Sequence, residues 1–320
     1  MAANPHTPPA PAAASLHPPP ATPAVSPHPP PAAPAAWPGG HPSALVGCDW
    51  LAAHLRDADV RVLDCTFLLP PAPGAVQAAF AAAHIEGAAI FDIEAVCDHA
   101  SPLPHMLPSP ALFAEAVGAL GIGNAHHVVL YDDTSVPGAT PAGAARVWWT
   151  FRAFGHARVS VLDGGLAKWR AQGRATTAIA TPVAPTVFRA ALQPASVRTQ
   201  AQVEANITTA AAQLVDARSA GRFRGADPEP RPGLRRGHIP GALNVPFTTL
   251  LDPSDRTWLP PERLREVFAS AGVALDAPVI TTCGSGVTAC VVALALHLLG
   301  HRDVAVYDGS WAEWGQDGHV

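Results

Sequence analysis

The 320-residue sequence predicts an α/β protein built from two tandem copies of one domain, each a parallel β-sheet flanked by α-helices. Three observations predict it. Short apolar runs alternate with helical stretches, a set of motifs recurs in the same order about 150 residues later, and a charge-free, proline-rich segment precedes both copies.

Residues 1–43 contain 15 of the 36 prolines and no charged residue; the first charge is Asp49. Alternating Pro and Ala cannot bury enough apolar surface to offset the entropy of ordering the chain, so this tail is expected to be disordered with polyproline II character. A metal site at His6, His17, His28 and His41 is the rival reading, and their irregular spacing argues against it.

The first copy is expected over residues 44–175. Residues 60–63 form a short apolar run ending at Asp64, which reads as a buried strand. Residues 109–121 read as a helix, with Ser109 as N-cap, apolar positions at Leu112, Val117 and Leu120, and Gly121 as the stop. Residues 128–131 form a second strand, 146–154 a helix ending at Gly155, and 159–162 a third strand. Residues 176–196 are polar and proline-bearing, without helix or strand period, and are expected to link the copies.

Residues 197–320 repeat the pattern. Leu214-Val215-Asp216 echoes Val62-Leu63-Asp64, and His238-Ile239-Pro240-Gly241-Ala242 echoes His84-Ile85-Glu86-Gly87-Ala88. A helix over 264–273 echoes 112–122, and the strand 279–282 echoes 128–131. Tyr307-Asp308-Gly309 with Trp314 echoes Leu162-Asp163-Gly164 with Trp169.

Composition excludes several classes of function. The formal net charge is −5, Lys168 is the only lysine, and no basic stripe exists, so nucleic acid is not an expected partner. The longest strongly apolar run, 287–299, has 13 residues and includes His297, too short to cross a bilayer. The five cysteines (Cys48, Cys65, Cys97, Cys283 and Cys290) are odd in number and lack a CxxC pair, which suits neither a disulfide framework nor a zinc site. No metal or cofactor is expected, and a reducing compartment is. The N-terminus lacks the basic and apolar stretches of a secretory signal and the arginines of a transit peptide, which points to the cytoplasm.

Ligands of parallel α/β sheets bind beyond the carboxyl ends of the strands. There, in the second copy, stands Cys283-Gly284-Ser285-Gly286-Val287-Thr288-Ala289, followed by an apolar helix expected to start near Val287 and stop before Gly300. Successive backbone N–H groups and the helix dipole make such a loop an anion nest, and both favour the thiolate, the nucleophilic form of cysteine. The plain alternative for Cys283 is a small buried hydrophobe. The first copy has Asp132 at the matching position, which cannot carry sulfur, so it should be catalytically silent. Cys290 reads as a buried thiol, with a disulfide to Cys283 as the rival.

The loop CGSGVTA, the segments GRFRGADPEPRPGLRRGHIPGALNVPF (221–247), FDIEAVCDHASPLPHMLP (91–108) and VWWTFRAFGHARVSVLDGG (147–165) together resemble the two-domain rhodanese family, nearest its 3-mercaptopyruvate sulfurtransferase branch. The resemblance covers about residues 44–318. It implies that Cys283 takes sulfur from a small-molecule donor as a persulfide and passes it to a thiol, a thioredoxin-like protein or cyanide. It implies a cradle of loop N–H groups at Gly284, Gly286, Val287 and Thr288, and a role for Ser285 in proton relay, beside the plain reading of Ser285 as a turn and cap residue. Thiosulfate-preferring relatives carry cationic side chains where this chain has neutral Gly284 and Ser285, which favours a monoanionic donor such as 3-mercaptopyruvate. Arg222 and Arg231 match the branch's carboxylate-binding arginines, with Arg224 less well matched; solvated loop arginines are the rival reading. Glu94 and His105 match an acid–histidine pair, with Glu94 one methylene longer than the usual Asp. Two rivals remain: a thiosulfate:cyanide sulfurtransferase, and a non-catalytic sulfur-relay or binding module. A phosphatase of related fold would need an arginine closing the loop, where this chain has Ala289 and Cys290.

Overall fold

The computed structural model describes Met1 and residues 44–316; the tail and its histidines lie outside the described residues. Twelve strands follow in chain order: β1 (Leu45–Val46), β2 (Val60–Asp64), β3 (Phe67–Leu68), β4 (Ala88–Ile90), β5 (His127–Tyr131), β6 (Ala139–Thr140), β7 (Val159–Leu162), β8 (Val197–Arg198), β9 (Gln213–Asp216), β10 (Leu243–Asn244), β11 (Val279–Thr282) and β12 (Val304–Tyr307). They form two five-stranded parallel sheets, β1-β7-β5-β2-β4 and β8-β12-β11-β9-β10, while β3 and β6 pair antiparallel beside the first. The two orders match position for position, so the repeat in the sequence is a repeat of topology. The repeated histidines are placed alike in the two copies. His84 Nδ1 bonds Phe80 O at 2.7 Å and stacks on the Phe80 ring, and His238 Nδ1 bonds Phe223 O at 2.8 Å and stacks on Phe223.

Local signals set the elements, with shifts at their ends. Ser109 caps the helix Pro110–Ala119 by accepting from Leu112 N at 3.2 Å. At the other end Gly121 N bonds Gly118 O and Ile122 N bonds Val117 O, the 5→2 and 6→1 pair that a left-handed glycine closes. The helix expected over 146–154 runs Gly143–Ala153, and that expected over 264–273 runs Pro261–Ser270. The linker residues carry no helix or strand until the 3₁₀ turn Pro194–Ser196. They are strapped to the first copy by Thr186 N→Gly118 O, Ala191 N→Phe154 O and the buried Phe188, which meets Phe113 edge-on.

The helix after the cysteine loop is Ala289–Leu298, later than the expected start near Val287. Gly286 has φ +75°, which breaks the right-handed course, and Val287 and Thr288 turn before the helix begins. Residues 289–296 are buried all round. One side faces its own sheet; the other packs against Gly143–Ala153 of the first copy. That contact explains a run too apolar for a surface helix and too short for a bilayer. Among the described residues, no helix is long and apolar enough to cross a membrane.

Candidate active site

The site is built where β11 ends. Cys283 is 2% exposed, and its loop is held from below by Ser310, whose Oγ accepts from Cys283 N and Gly286 N at 3.1 Å each and donates to Tyr307 O at 2.7 Å. Cys283 O and Gly284 O accept from Trp311 N and Ala312 N. These bonds leave the N–H groups of Gly284, Ser285, Val287 and Thr288 without an acceptor among the described residues. Four unclaimed donors on one tight loop are the kind of group from which an anion nest is made. Gly286 is the correction: it was expected in the cradle, but its N–H belongs to Ser310. Its own requirement is steric, since a Cβ there would meet Arg146 Nη1 and Asp308 at 2.8 Å.

The arginines approach from the segment after β9. Arg222 Nη2 lies 2.9 Å from where a Cβ on Gly284 would stand, so the guanidinium rests against the bare face of that glycine. Glu229 holds that guanidinium along its edge, with Oε2 2.6 Å from Nη2 and Oε1 3.3 Å from Nε. The same carboxylate accepts from Arg218 Nη1 at 2.8 Å, and Arg218 is in turn paired with buried Asp216 and stacked over Trp311. Arg231 donates from Nη2 to His105 Nε2 at 3.0 Å. Burial lowers the Arg231 pKa from its ordinary value; the charges of Cys283 and Glu94 oppose this, and Arg222 adds to it. Arg224 is exposed.

His105 is buried, has φ +60°, and meets Phe67 edge-on at 5.1 Å. An arginine only donates, so His105 Nε2 accepts and the proton of the neutral ring sits on Nδ1. Nδ1 lies 3.1 Å from Glu94 Oε1, outside hydrogen-bond geometry. The imidazole holds the Glu94 carboxyl below the ordinary carboxylate value, against partial burial. Arg231, His105 and Glu94 thus form one chain, and the Ser285 side chain is buried on the neighbouring loop.

Three groups escaped the sequence reading. Arg146, buried, donates to Gly286 O at 3.1 Å, to Asp308 Oδ1 at 2.5 Å and to His105 O at 2.5 Å. Asp308 Oδ2 accepts from Leu107 N at 2.7 Å. One buried ion pair therefore ties the cysteine loop of the second copy to the histidine loop of the first. The available signal was a single cation at the head of an apolar helix. Ser310 (φ +50°) and Glu229 gave weaker ones: a serine where the first copy has Gly165, and a carboxylate amid arginines. Cys290 is a free thiol bonding Gly286 O at 3.2 Å, its pKa raised by burial, so the disulfide reading is not realised here. Among the described residues no cluster of three His, Cys, Asp or Glu could hold a metal ion.

A model of the rhodanese-like domain matches residues 48–172 and again 199–317. The chain belongs to the rhodanese family. Among rhodanese relatives, the human 3-mercaptopyruvate sulfurtransferase is 45% identical over 278 residues, covering 85% of this chain and 91% of that protein. A thiosulfate sulfurtransferase of Cricetulus griseus is also 45% identical, with the same coverage. The crystal structure of SseA from Escherichia coli, described with the 3-mercaptopyruvate sulfotransferases, superposes with a TM-score of 0.73 at 40% identity, covering 84% of this chain and 99% of that one. In the rhodanese copy without the cysteine, Asp132 Oδ1 accepts from Ala144 N at 2.9 Å, at the start of the following helix.

Burial raises the Asp132 carboxyl well above its ordinary value. A folded value above the unfolded one, near 4, means that the carboxyl costs stability as pH climbs beyond ~4. Asp132→Asn keeps the acceptor and removes the charge. Its melting temperature should exceed that of the native protein by a margin that widens between pH 5 and pH 8, with turnover unchanged; a margin that narrows over that range refutes the reading.

Proposed function

We propose that this protein is a 3-mercaptopyruvate sulfurtransferase working through a persulfide on Cys283. The observation that carries the reading is the loop itself: a buried cysteine among four unclaimed N–H groups, with neutral Gly284 and Ser285 beside it. Arg231, with Arg222, clamps the donor carboxylate and aims its thiol at Cys283. The Cys283 thiolate attacks the donor sulfur, an S–S bond forms, and the C–S bond breaks with its electron pair passing to the pyruvate enolate. The enolate takes a proton through His105, oriented by Glu94 and assisted by Ser285, and the new S–H gives its proton back to the site. The loop N–H groups stabilise the persulfide anion. A thiol, a thioredoxin-like protein or cyanide then removes the outer sulfur and restores the thiolate.

Five free thiols suit a reducing compartment, and the reading places the enzyme in the cytoplasm. The similarity to a thiosulfate sulfurtransferase supports a second donor, thiosulfate, using the same cysteine without the enolate proton.

The test is steady-state turnover with each donor and cyanide as acceptor. Mercaptopyruvate should be preferred, and preference for thiosulfate would replace the first reading with the second. Arg231→Ala should lower kcat/KM for mercaptopyruvate about 10- to 150-fold, the worth of a hydrogen bond to a charged group. An unchanged value would remove Arg231 from the donor site.

A further inference from the structure

Two arginines stand at the cysteine loop, but they are not electrically alike. Arg231 meets a neutral acceptor, the ring nitrogen of His105. The Arg222 guanidinium is already gripped by the Glu229 carboxylate through Nε and Nη2. The Glu229 side chain is 2% exposed, so water screens this pair little, whereas the Glu94 side chain is 46% exposed and its charge is damped. The third cation of the cluster, Arg218, is matched by buried Asp216. Of the three guanidiniums, Arg218 and Arg222 are each paired with a buried carboxylate, and Arg231 is the one without a carboxylate in ion-pair contact. The grip also has a shape. With its Nε edge filled, Arg222 can offer an incoming anion only its outer N–H groups.

We propose that Glu229 is a specificity-determining residue: by neutralising Arg222 it fits the donor site to one negative charge, admitting a monoanionic α-keto-acid thiol and disfavouring dianionic thiosulfate. This rests on the reading above that Arg222 and Arg231 face the donor. Neutral Gly284 and Ser285 remove one source of positive charge, and Glu229 cancels another. The second charge of a dianion meets an Arg222 already matched by Glu229, yet it still loses its hydration on entry.

The test compares native enzyme, Glu229→Gln and Glu229→Asp. Glu229→Gln should raise the thiosulfate-to-mercaptopyruvate ratio of kcat/KM about tenfold, the effect of one unscreened charge at this range in a protein environment. Glu229→Asp keeps the charge and should leave the ratio within about twofold of the native value. An unchanged ratio in Glu229→Gln, or an equal shift in Glu229→Asp, overturns the proposal; a purely structural glutamate would depress both donors together.

A measurement on the native enzyme covers the case in which Glu229→Gln does not fold. Methanesulfonate and sulfate share a tetrahedral head and differ by one charge. As competitive inhibitors, sulfate should bind no more tightly than methanesulfonate; sulfate binding tenfold tighter overturns the proposal. Failure of the underlying reading looks different: native enzyme would then show no turnover of mercaptopyruvate, or turnover indifferent to Arg231→Ala.

Discussion

Cys283→Ser abolishes sulfur transfer from both donors, with a loss of about 10⁴-fold or more in kcat, because no other group at the loop can hold a sulfane sulfur. Serine is nearly isosteric, and the bonds that shape the loop run through the backbone of Cys283 and the side chain of Ser310. The melting temperature should therefore stay within a few degrees of native. Mass spectrometry after exposure to donor gives a second readout: the native chain gains one sulfur atom, about 32 Da, and the variant gains none. Retained turnover in the variant would move the sulfur to another thiol. Cys290 is the nearest rival in sequence, and its burial and its bond to Gly286 O make it inert.

Arg146→Ala has the largest expected effect on stability. It leaves Asp308 buried without its cation and removes the guanidinium bonds to Gly286 O and His105 O. Breaking a buried pair by removing one partner costs about 3 to 5 kcal/mol. The midpoint of denaturant unfolding should fall accordingly, and turnover should drop as well, because the same guanidinium sets the cysteine loop against the histidine loop. Arg146→Lys restores the charge but not three directed bonds, so it should recover part of the stability and less of the turnover. A change below about 1 kcal/mol would mean that the copies are held by helix packing alone.

The two copies were legible because their signals are local. The caps at Ser109 and Gly121, the apolar runs of β5 and β11, and the echo of His84 in His238 each depend on neighbours within a few residues. Cys283 was legible for the same reason: strand, glycine loop and helix follow one another in the chain. The pairing of Glu94 with His105 came from resemblance, and the structure brings those two side chains together with Arg231. Arg146 was not legible. It meets Asp308 across 162 residues, and nothing near Arg146 in sequence indicates an acceptor.

By itself, then, the sequence determined the repeat, the α/β class and the place of the candidate nucleophile at the end of β11, since hydrophobic period, capping and turn chemistry act over a few residues. Only the tertiary structure decided how the charges converge: Glu229 between two arginines, Arg146 spanning both copies, and the Gly286 N–H turned down to Ser310. Such convergence depends on how two packed sheets and their helices bring distant side chains into a low-dielectric space, where each charge must find its partner, and spacing along the chain does not encode that partner.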